Sequence, residues 1–319
     1  MKLEFIESPR FNPHENLGVE SVLLKTCPED TLRFYLWQNQ HTVVIGKHQH
    51  AASEVFLDRL KEDHGTLARR SSGGGAVYHD LGNLNFSFIT STQHFDLQRQ
   101  MNWIAQALHA LGFDAQVNGR NDIEVLGAKV SGNAFAHHHD LHLHHGTLLV
   151  NVDTAKLGYY LNVNPKKLKR KNVASVAARI MNLSDVKALS IEELKQHLYT
   201  SIQEATHTQA TWLDFESLDA FEEVLFFKQD AWNLGTTTSG QWSFEECFDF
   251  GCFKWEIKTN HGVITSSHLY SDSLDTLWIE ELEQWIMGQS ETSWIEHLKT
   301  YSKRNIDQTQ QIINTLETL

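Results

Sequence analysis

Residues 69–83 read Arg-Arg-Ser-Ser-Gly-Gly-Gly-Ala-Val-Tyr-His-Asp-Leu-Gly-Asn, and no other stretch limits what this chain can fold into so tightly. Glycine lacks a Cβ and enters positive φ freely, so three in succession let the backbone bend sharply and lie close against a ligand. Thr66, Leu67 and Ala68 before them and Ala76, Val77 and Tyr78 after them predict strand ends, and the simplest join is a tight hairpin. Neither a Gly-Lys-Ser/Thr ending nor a GxGxxG spacing is present, which excludes a phosphate loop of the Walker type and the dinucleotide fingerprint. Arg69 and Arg70 occupy consecutive strand positions and point to opposite faces. At most one of them faces a given pocket, and Arg70, nearer the glycines, is the candidate.

Three further polar islands accompany this stretch. Asn118-Gly119-Arg120-Asn121-Asp122 reads as a charged turn, and the alternating run 123–134 is broken into a hairpin at Gly127-Ala128. Simple alternation places Lys129, Ser131 and Asn133 on one face, with Val130 and Ala134 turned toward the core. Lys129 has small neighbours in Ala128 and Gly132, which leaves room for a ligand beside it. Lys166, Lys167, Lys169, Arg170 and Lys171 form a basic run in a chain of net charge −13, well placed to hold an anion, and Arg179 and Asn182 follow. The signatures of hydrolysis are absent: there is no GxSxG elbow and no HExxH. Many cationic donors with few nucleophiles suit the binding of phosphates and a carboxylate, with catalysis by positioning and charge stabilisation. The tract 136–146 carries His137, His138, His139, His142, His144 and His145 with no cysteine near, and is expected to be a polar loop rather than a metal site.

The 319 residues predict two domains. A helix is expected over 16–24, and strands over 33–37 and 42–45 joined as a hairpin through 38–41. Residues 83–90 alternate as a strand with Leu84, Phe86 and Phe88 on one face. Residues 96–111 carry the clearest helical stripe (Leu97, Met101, Ile104, Leu108, Leu111), closed by Gly112. Ser190 to Glu193 start another helix, with Ile191, Leu194, Leu198 and Ile202 apolar. After an amphipathic stretch over 215–227, residues 235–240 are the best linker. Beyond it, 253–272 reads as a hairpin turning at Asn260-His261-Gly262, followed by helices, the first with Leu274, Leu277, Leu282 and Trp285 apolar. The expected organisation is a larger α/β domain over 1–235 and a small α+β domain over 236–319. Net charge −13 argues against a nucleic-acid partner. Three scattered cysteines (Cys27, Cys247, Cys252) fit a reducing compartment rather than a disulfide framework. With no leader-like amino terminus and no membrane-length apolar run, a cytoplasmic protein is expected.

Taken together, the motifs resemble those of the lipoate–protein ligase A family, nearly end to end. The family's RRxSGGGAVYHDxGN is matched by residues 69–83, GRNDI by 119–123, KxSGxA by Lys129, Ser131, Gly132 and Ala134, and HHGTLL by 144–149. SVxSRVxNL is matched by Ser175, Val176, Arg179, Asn182 and Leu183, although Ala178 replaces its second serine and Asn172-Val173-Ala174 stand where a glycine is usual. The resemblance implies an α/β catalytic domain of the biotin/lipoate-ligase type, a mixed sheet with flanking helices, plus a small α+β C-terminal domain. It implies a monomer that uses ATP and Mg²⁺ to convert lipoate into lipoyl-AMP. The acyl group then passes to a lysine of apo lipoyl domains, in the acyltransferase subunits of pyruvate and 2-oxoglutarate dehydrogenases and in glycine cleavage H protein. Lys129 would be the catalytic residue, its ammonium beside the carboxylate and the α-phosphate. Substrate and nucleotide contacts would come from Arg70, Ser72, Gly73, Gly74, Gly75, Ala76, Val77, Tyr78, His79, Asn83, Asn121, Asp122, Ser131, Gly132, His145, Thr147 and Arg179, with Asp122 as the Mg²⁺ contact. Two rivals remain: a lipoyl or octanoyl transferase fed by preformed lipoyl-AMP or an acyl carrier, and a non-catalytic lipoate-binding protein. The cysteines lie outside all four islands, which argues against acyl-cysteine chemistry, and the presence of Arg70 and Lys129 argues against a silent binder.

Overall fold

A computed structural model describes residues 1–119, 121–162, 180–235 and 242–318. The chain opens with strand β1 (Lys2–Glu7), helix α1 (Pro13–Lys25) and strand β2 (Thr31–Trp37). Asn12 caps α1 by accepting the N–H groups of His14 and Glu15, and Pro13 supplies a first-turn residue that needs no donor. Strands β3 (Thr42–Ile45), β4 (Thr66–Arg69), β5 (Val77–His79) and β6 (Asn83–Ser91) follow. Helix α2 (Leu97–Ala110) leads into β7 (Ala115–Asn118), β8 (Asp122–Val125), β9 (Ala128–His138) and β10 (Leu141–Leu149). Helix α3 (Ile191–Thr206), the short strand β11 (Thr211–Trp212) and helix α4 (Phe221–Lys228) come next.

An eight-stranded mixed sheet in the order β11-β1-β2-β6-β10-β9-β8-β7 forms the frame. Only the β1–β2 and β1–β11 pairs within it are parallel. All seven residues of β2 are buried, since the sheet is covered on both faces. Phe34, Leu36, Leu84, Phe86 and Phe88 face Met101, Ile104 and Leu108 of α2 and Leu194, Leu198 and Ile202 of α3. Tyr35, Trp37 and Ile89 face Leu17 and Leu23 of α1 and Phe227 of α4. A buried side chain of this size contributes about 1.5–3 kcal/mol, so these two layers dominate the stability of this part of the chain. The helical stripes of α2 and α3 are those expected, with Gly112 at φ +86° closing α2.

Three expectations are corrected. Residues 38–41 do not close a hairpin: β2 belongs to the large sheet, whereas β3 is the centre of a separate sheet of order β4-β3-β5. The glycine stretch is not a hairpin turn either, because β4 and β5 lie on opposite sides of β3. The histidine tract is strand, not loop: β9 runs to His138, the chain turns at His139 (φ +52°), and His137 pairs with His142 across the hairpin. Alternation there was hidden because histidine occupies both faces.

Beyond residue 241 the chain forms β12 (Trp242–Phe248), β13 (Gly251–Asn260), β14 (Val263–Ser271) and helices α5 (Thr276–Trp285), α6 (Trp294–Leu298) and α7 (Ile306–Leu316). The β13–β14 hairpin is the expected one, and β12 adds an unforeseen third strand. Phe253, Trp255, Ile257, Trp278, Ile279, Leu282 and Ile312 make its core. Asp275 caps α5 through the Trp278 N–H; of the expected stripe Leu282 is buried and Trp285 packs against the core, while Leu274 precedes the helix and Trp278 and Ile279 complete the buried face. Cys247 and Cys252, opposite each other on β12 and β13, form a disulfide. The expectation that no cysteines pair is thereby overturned; a five-residue separation across a hairpin brings the two sulfurs together whatever the total count. No helix among the described residues is long and apolar enough to cross a membrane.

This accessory unit docks on the glycine stretch. Gly74 N–H donates to Ser273 O (3.1 Å), Ser271 N–H donates to His48 O (2.9 Å), and Lys47 pairs with Glu280 (2.5 Å). His48, whose Nε2 lies 3.5 Å from Glu280 Oε1, together with Lys47 draws the Glu280 carboxyl down to about 2. Next to it, burial pushes Glu283 up to about 7, against the Leu269 N–H that it accepts. The folded chain thus holds a proton on Glu283 more tightly than the unfolded chain does. That penalty grows as pH rises from the ordinary carboxyl range through 7 and is complete above it. Glu283→Gln keeps the acceptor and removes the charge. Its melting temperature is expected to exceed the wild type's by about 2–4 °C at pH 8, an advantage that narrows toward pH 5. An equal gain at both pH values in thermal denaturation would contradict this assignment.

Candidate active site

The lysine hairpin owes its geometry to one extra residue. Leu126 (φ +53°) and Gly127 (φ +76°) make the tight turn between β8 and β9. In the register beyond it, Glu124 pairs with Lys129 but Ile123 pairs with Ser131, so Val130 is a bulge. The bulge resets the alternation. Lys129 comes to share a face with Asp122 and Gly132, while Ser131 turns to the opposite side, fully buried, where it accepts the Asn133 amide. The expected grouping of Lys129 with Ser131 and Asn133 is corrected accordingly. Ala134, expected in the core, is buried there and also borders a cavity. Lys129 Nζ lies 2.6 Å from Asp122 Oδ1. A Cβ on Gly132 would meet Lys129 Cε and Nζ at 2.9 Å, so the glycine is what lets the lysine lie across its own strand. Behind it, Lys129 O accepts the Met181 N–H (3.0 Å), and Asn121 and Asn133 exchange side chain-to-carbonyl bonds at 2.9 and 3.0 Å.

The glycine loop is held from inside by its own arginines. Arg69 donates to the carbonyls of Gly46, Lys47, Gln49, Trp232 and Asn233 and so ties three segments together. Arg70 is buried and donates to Val44, Gly73 and Gly75 carbonyls and to Ser72 Oγ. Burial lowers its pKa to about 10, which leaves it charged at neutral pH. Ser72 Oγ sits 2.7 Å from His145 Nε2, and His145 Nδ1 sits 2.9 Å from Glu20 Oε1. Ser87 Oγ also donates to Glu20, and Trp37 Nε1 donates to Ser87 (3.0 Å). The order serine, histidine, acid is that of a hydrolytic triad. Yet Ser72 is fully buried, off the cavity wall, and already receives Arg70 Nε–H (3.1 Å). The chain is a relay that fixes the loop, not a nucleophile. Gly73 faces away as well: a Cβ there would collide with the Ser273 carbonyl.

One cavity of about 2310 Å³ gathers most of the expected residues. Arg70, Gly74, Gly75, Ala76, Val77, Tyr78, His79, Asn121, Asp122, Lys129, Gly132, His145 and Thr147 line it. Ser72, Gly73, Asn83 and Ser131 stand behind the wall. Arg179, Arg120 and the basic run 165–171 lie outside the described residues. Sequence reasoning missed Glu20, Trp37 and Asn85. Glu20 had a signal: it is three residues after Leu17 and four before Leu24, a carboxylate on the apolar face of its helix. On the opposite wall, Leu274, Asp272 and both disulfide cysteines come from the accessory unit.

Fold and site define a protein that brings a lysine ammonium, a carboxylate and a closely approachable glycine backbone around one cavity, the arrangement suited to an activated carboxylic acid beside a phosphate. The family model for the lipoyl protein ligase A/B catalytic domain matches residues 12–203, and the chain belongs to that family. A lipoate-protein ligase A from Blochmanniella floridana is 36% identical over 300 residues, covering 90% of this chain and 89% of that one. The crystal structure of P. falciparum LipL1 in complex with lipoate has a TM-score of 0.87 at 26% identity, covering 99% of this chain and 100% of that one. A lipoate-protein ligase A bound with ATP matches with a TM-score of 0.62 at 30% identity, over 73% of this chain and 98% of that one.

Proposed function

We propose that the protein is an ATP-dependent lipoate–protein ligase in which Lys129 is the catalytic residue. The observation that carries the reading is the placement of Lys129 by the β9 bulge, across Gly132 and beside Asp122, on the cavity that the glycine loop lines. A lipoate carboxylate oxygen attacks the α-phosphorus of ATP, the bond to pyrophosphate breaks, and lipoyl-AMP forms. The Lys129 ammonium holds the carboxylate against the phosphate and stabilises negative charge as it develops. In the second step an acceptor lysine amine attacks the acyl carbonyl, AMP leaves and the amine releases a proton to solvent. Gly74 and Gly75 let the loop approach the adenylate closely, with Arg70 holding its shape. Mg²⁺ needs only one or two carboxylates when phosphates supply the other oxygens, and Asp122 is the carboxylate placed to serve. Bound with the nucleotide, the ion would neutralise the leaving pyrophosphate.

The acceptors in this reading are lipoyl domains of 2-oxoacid dehydrogenases and glycine cleavage H protein, the enzyme acts as a cytoplasmic monomer, and catalysis resides in residues 1–235 with 236–319 as the accessory domain. The thiolate route of a transferase finds little support. Cys27 is buried, its thiol pushed up to about 11, and Cys247 and Cys252 are joined to each other. Purified protein given ATP, Mg²⁺ and lipoate is expected to release pyrophosphate and modify an apo lipoyl domain. No pyrophosphate, with full transfer from supplied lipoyl-AMP, would make it a transferase instead.

A further inference from the structure

The disulfide of the accessory unit stands on the cavity wall, on a hairpin that is already held without it. Cys247 and Cys252 face each other on β12 and β13, which pair in register from Trp242 and Ile257 to Phe248 and Gly251. The core beneath them is built from Phe253, Trp255, Ile257, Trp278 and Leu282. A crosslink between residues five apart in sequence restrains the unfolded chain less than one that closes a long loop. In the cytoplasm, where the chain is proposed to act, a disulfide is usually catalytic or redox-sensing rather than structural.

Burial decides which sulfur reacts. Cys247 is fully buried and Cys252 half-buried. A nucleophile in the cavity therefore meets Cys252 Sγ, and Cys247 is the leaving group. Cys252 N–H donates to Asp272 Oδ1 (2.8 Å), and Asp272 lies between Ser271 and Ser273, whose main chains dock on His48 and Gly74. The disulfide is thus tied to the segment that seats against the glycine stretch. Phe248 and Phe250 stack beside it, centroids 5.0 Å apart, and with Leu274 turn an apolar surface to the cavity. At about 2310 Å³ the cavity exceeds the roughly 300–1,000 Å³ of an ordinary ligand pocket, so an alkyl chain has room to lie along this wall.

We propose that Cys247–Cys252 is an exchangeable disulfide that oxidises dihydrolipoate, the dithiol form of the acyl substrate, to lipoate. The inference rests on the ligase reading above, which puts that acid in this cavity. One thiol of dihydrolipoate attacks Cys252 Sγ as its thiolate, the bond between the cysteines breaks, and Cys247 leaves and takes up the proton. The second thiol, three carbons away, then attacks the substrate sulfur of the mixed disulfide. A five-membered dithiolane closes and Cys252 leaves as a thiol. Two electrons and two protons pass from dihydrolipoate to the cysteine pair, and nothing else is consumed. Closure within one molecule distinguishes this reagent from a monothiol, which needs a second molecule to finish. Binding in the cavity, through chain and carboxylate, distinguishes it from a small dithiol that has neither.

The test is anaerobic incubation of the oxidised full chain with dihydrolipoate, followed by denaturation, alkylation and mass measurement. Alkylated thiols are expected to rise from one, Cys27, to three per chain, with one lipoate formed per disulfide lost. The rate is expected to exceed that with propane-1,3-dithiol at the same concentration by roughly tenfold. Excess octanoate, by filling the cavity, is expected to remove that advantage. A disulfide that resists dihydrolipoate, an equal rate with both dithiols, or an advantage that octanoate leaves intact overturns the inference. The double variant Cys247→Ser, Cys252→Ser is expected to form no lipoate, and formation at the wild-type rate overturns the inference as well. Should that variant fail to fold, the wild-type comparison decides alone. Pyrophosphate release by the wild type from ATP and lipoate is read in parallel. Release beside failed exchange strikes the inference alone, whereas selective exchange without release strikes the ligase reading alone.

Discussion

Lys129→Ala is expected to lower pyrophosphate release by roughly 10²–10³-fold, the loss typical when one preorganised charge partner is removed from a developing anion. The fold should survive the change. The lysine side chain is 27% exposed and its pair with Asp122 is partly solvated, so the pair is worth about 0–1 kcal/mol to stability. Nothing packs above the lysine as it does in the core, and the strand beneath is held by main-chain bonds, including the one from Met181 to Lys129 O. Pyrophosphate release and thermal denaturation measured together separate the two effects. Wild-type turnover with the alanine in place would remove Lys129 from the chemistry altogether.

Arg70→Lys is expected to reduce activity by about 100-fold and to lower the melting temperature, although the charge is kept. A guanidinium reaches Val44, Gly73 and Gly75 carbonyls and Ser72 Oγ at once. An ammonium on a flexible stem cannot span them. Each carbonyl left unpaired in this buried loop costs about 1–3 kcal/mol, and the glycines have no side chains with which to hold the shape themselves. If Arg70 served only as a cation for the ligand, lysine would retain most of the activity and all of the stability. Activity within threefold of the wild type at an unchanged melting temperature would establish that simpler role.

The elements readable from sequence were those whose pattern repeats. Helices α2 and α3 present their apolar stripe over three turns or more, and the turns at Gly127 and Gly262 sit between alternating runs. Pairing between short strands was not readable. Strands β3, β4 and β5 have four, four and three residues, too few periods to tell which neighbour each will choose. The site was legible as a set of islands but not as a surface. A bulge adds one residue without any compositional mark, so the face of Lys129 came out with the wrong companions. Glu20 was visible as a charge on an apolar stripe, but its partners Ser87 and His145 are 67 and 125 residues away.

The bonds from Gly74 N–H to Ser273 O and from Ser271 N–H to His48 O join the two halves of the molecule through main-chain atoms. Short of proline at position 74 or 271, which would remove the donor N–H, neither bond can be deleted by changing a side chain. What they require is a backbone path, kept open on one side by the absence of a Cβ at Gly73. The accessory half can therefore drift far in sequence while still finding the same seat, and descendants of this chain that share few identical residues beyond position 241 would be expected to dock in the same way.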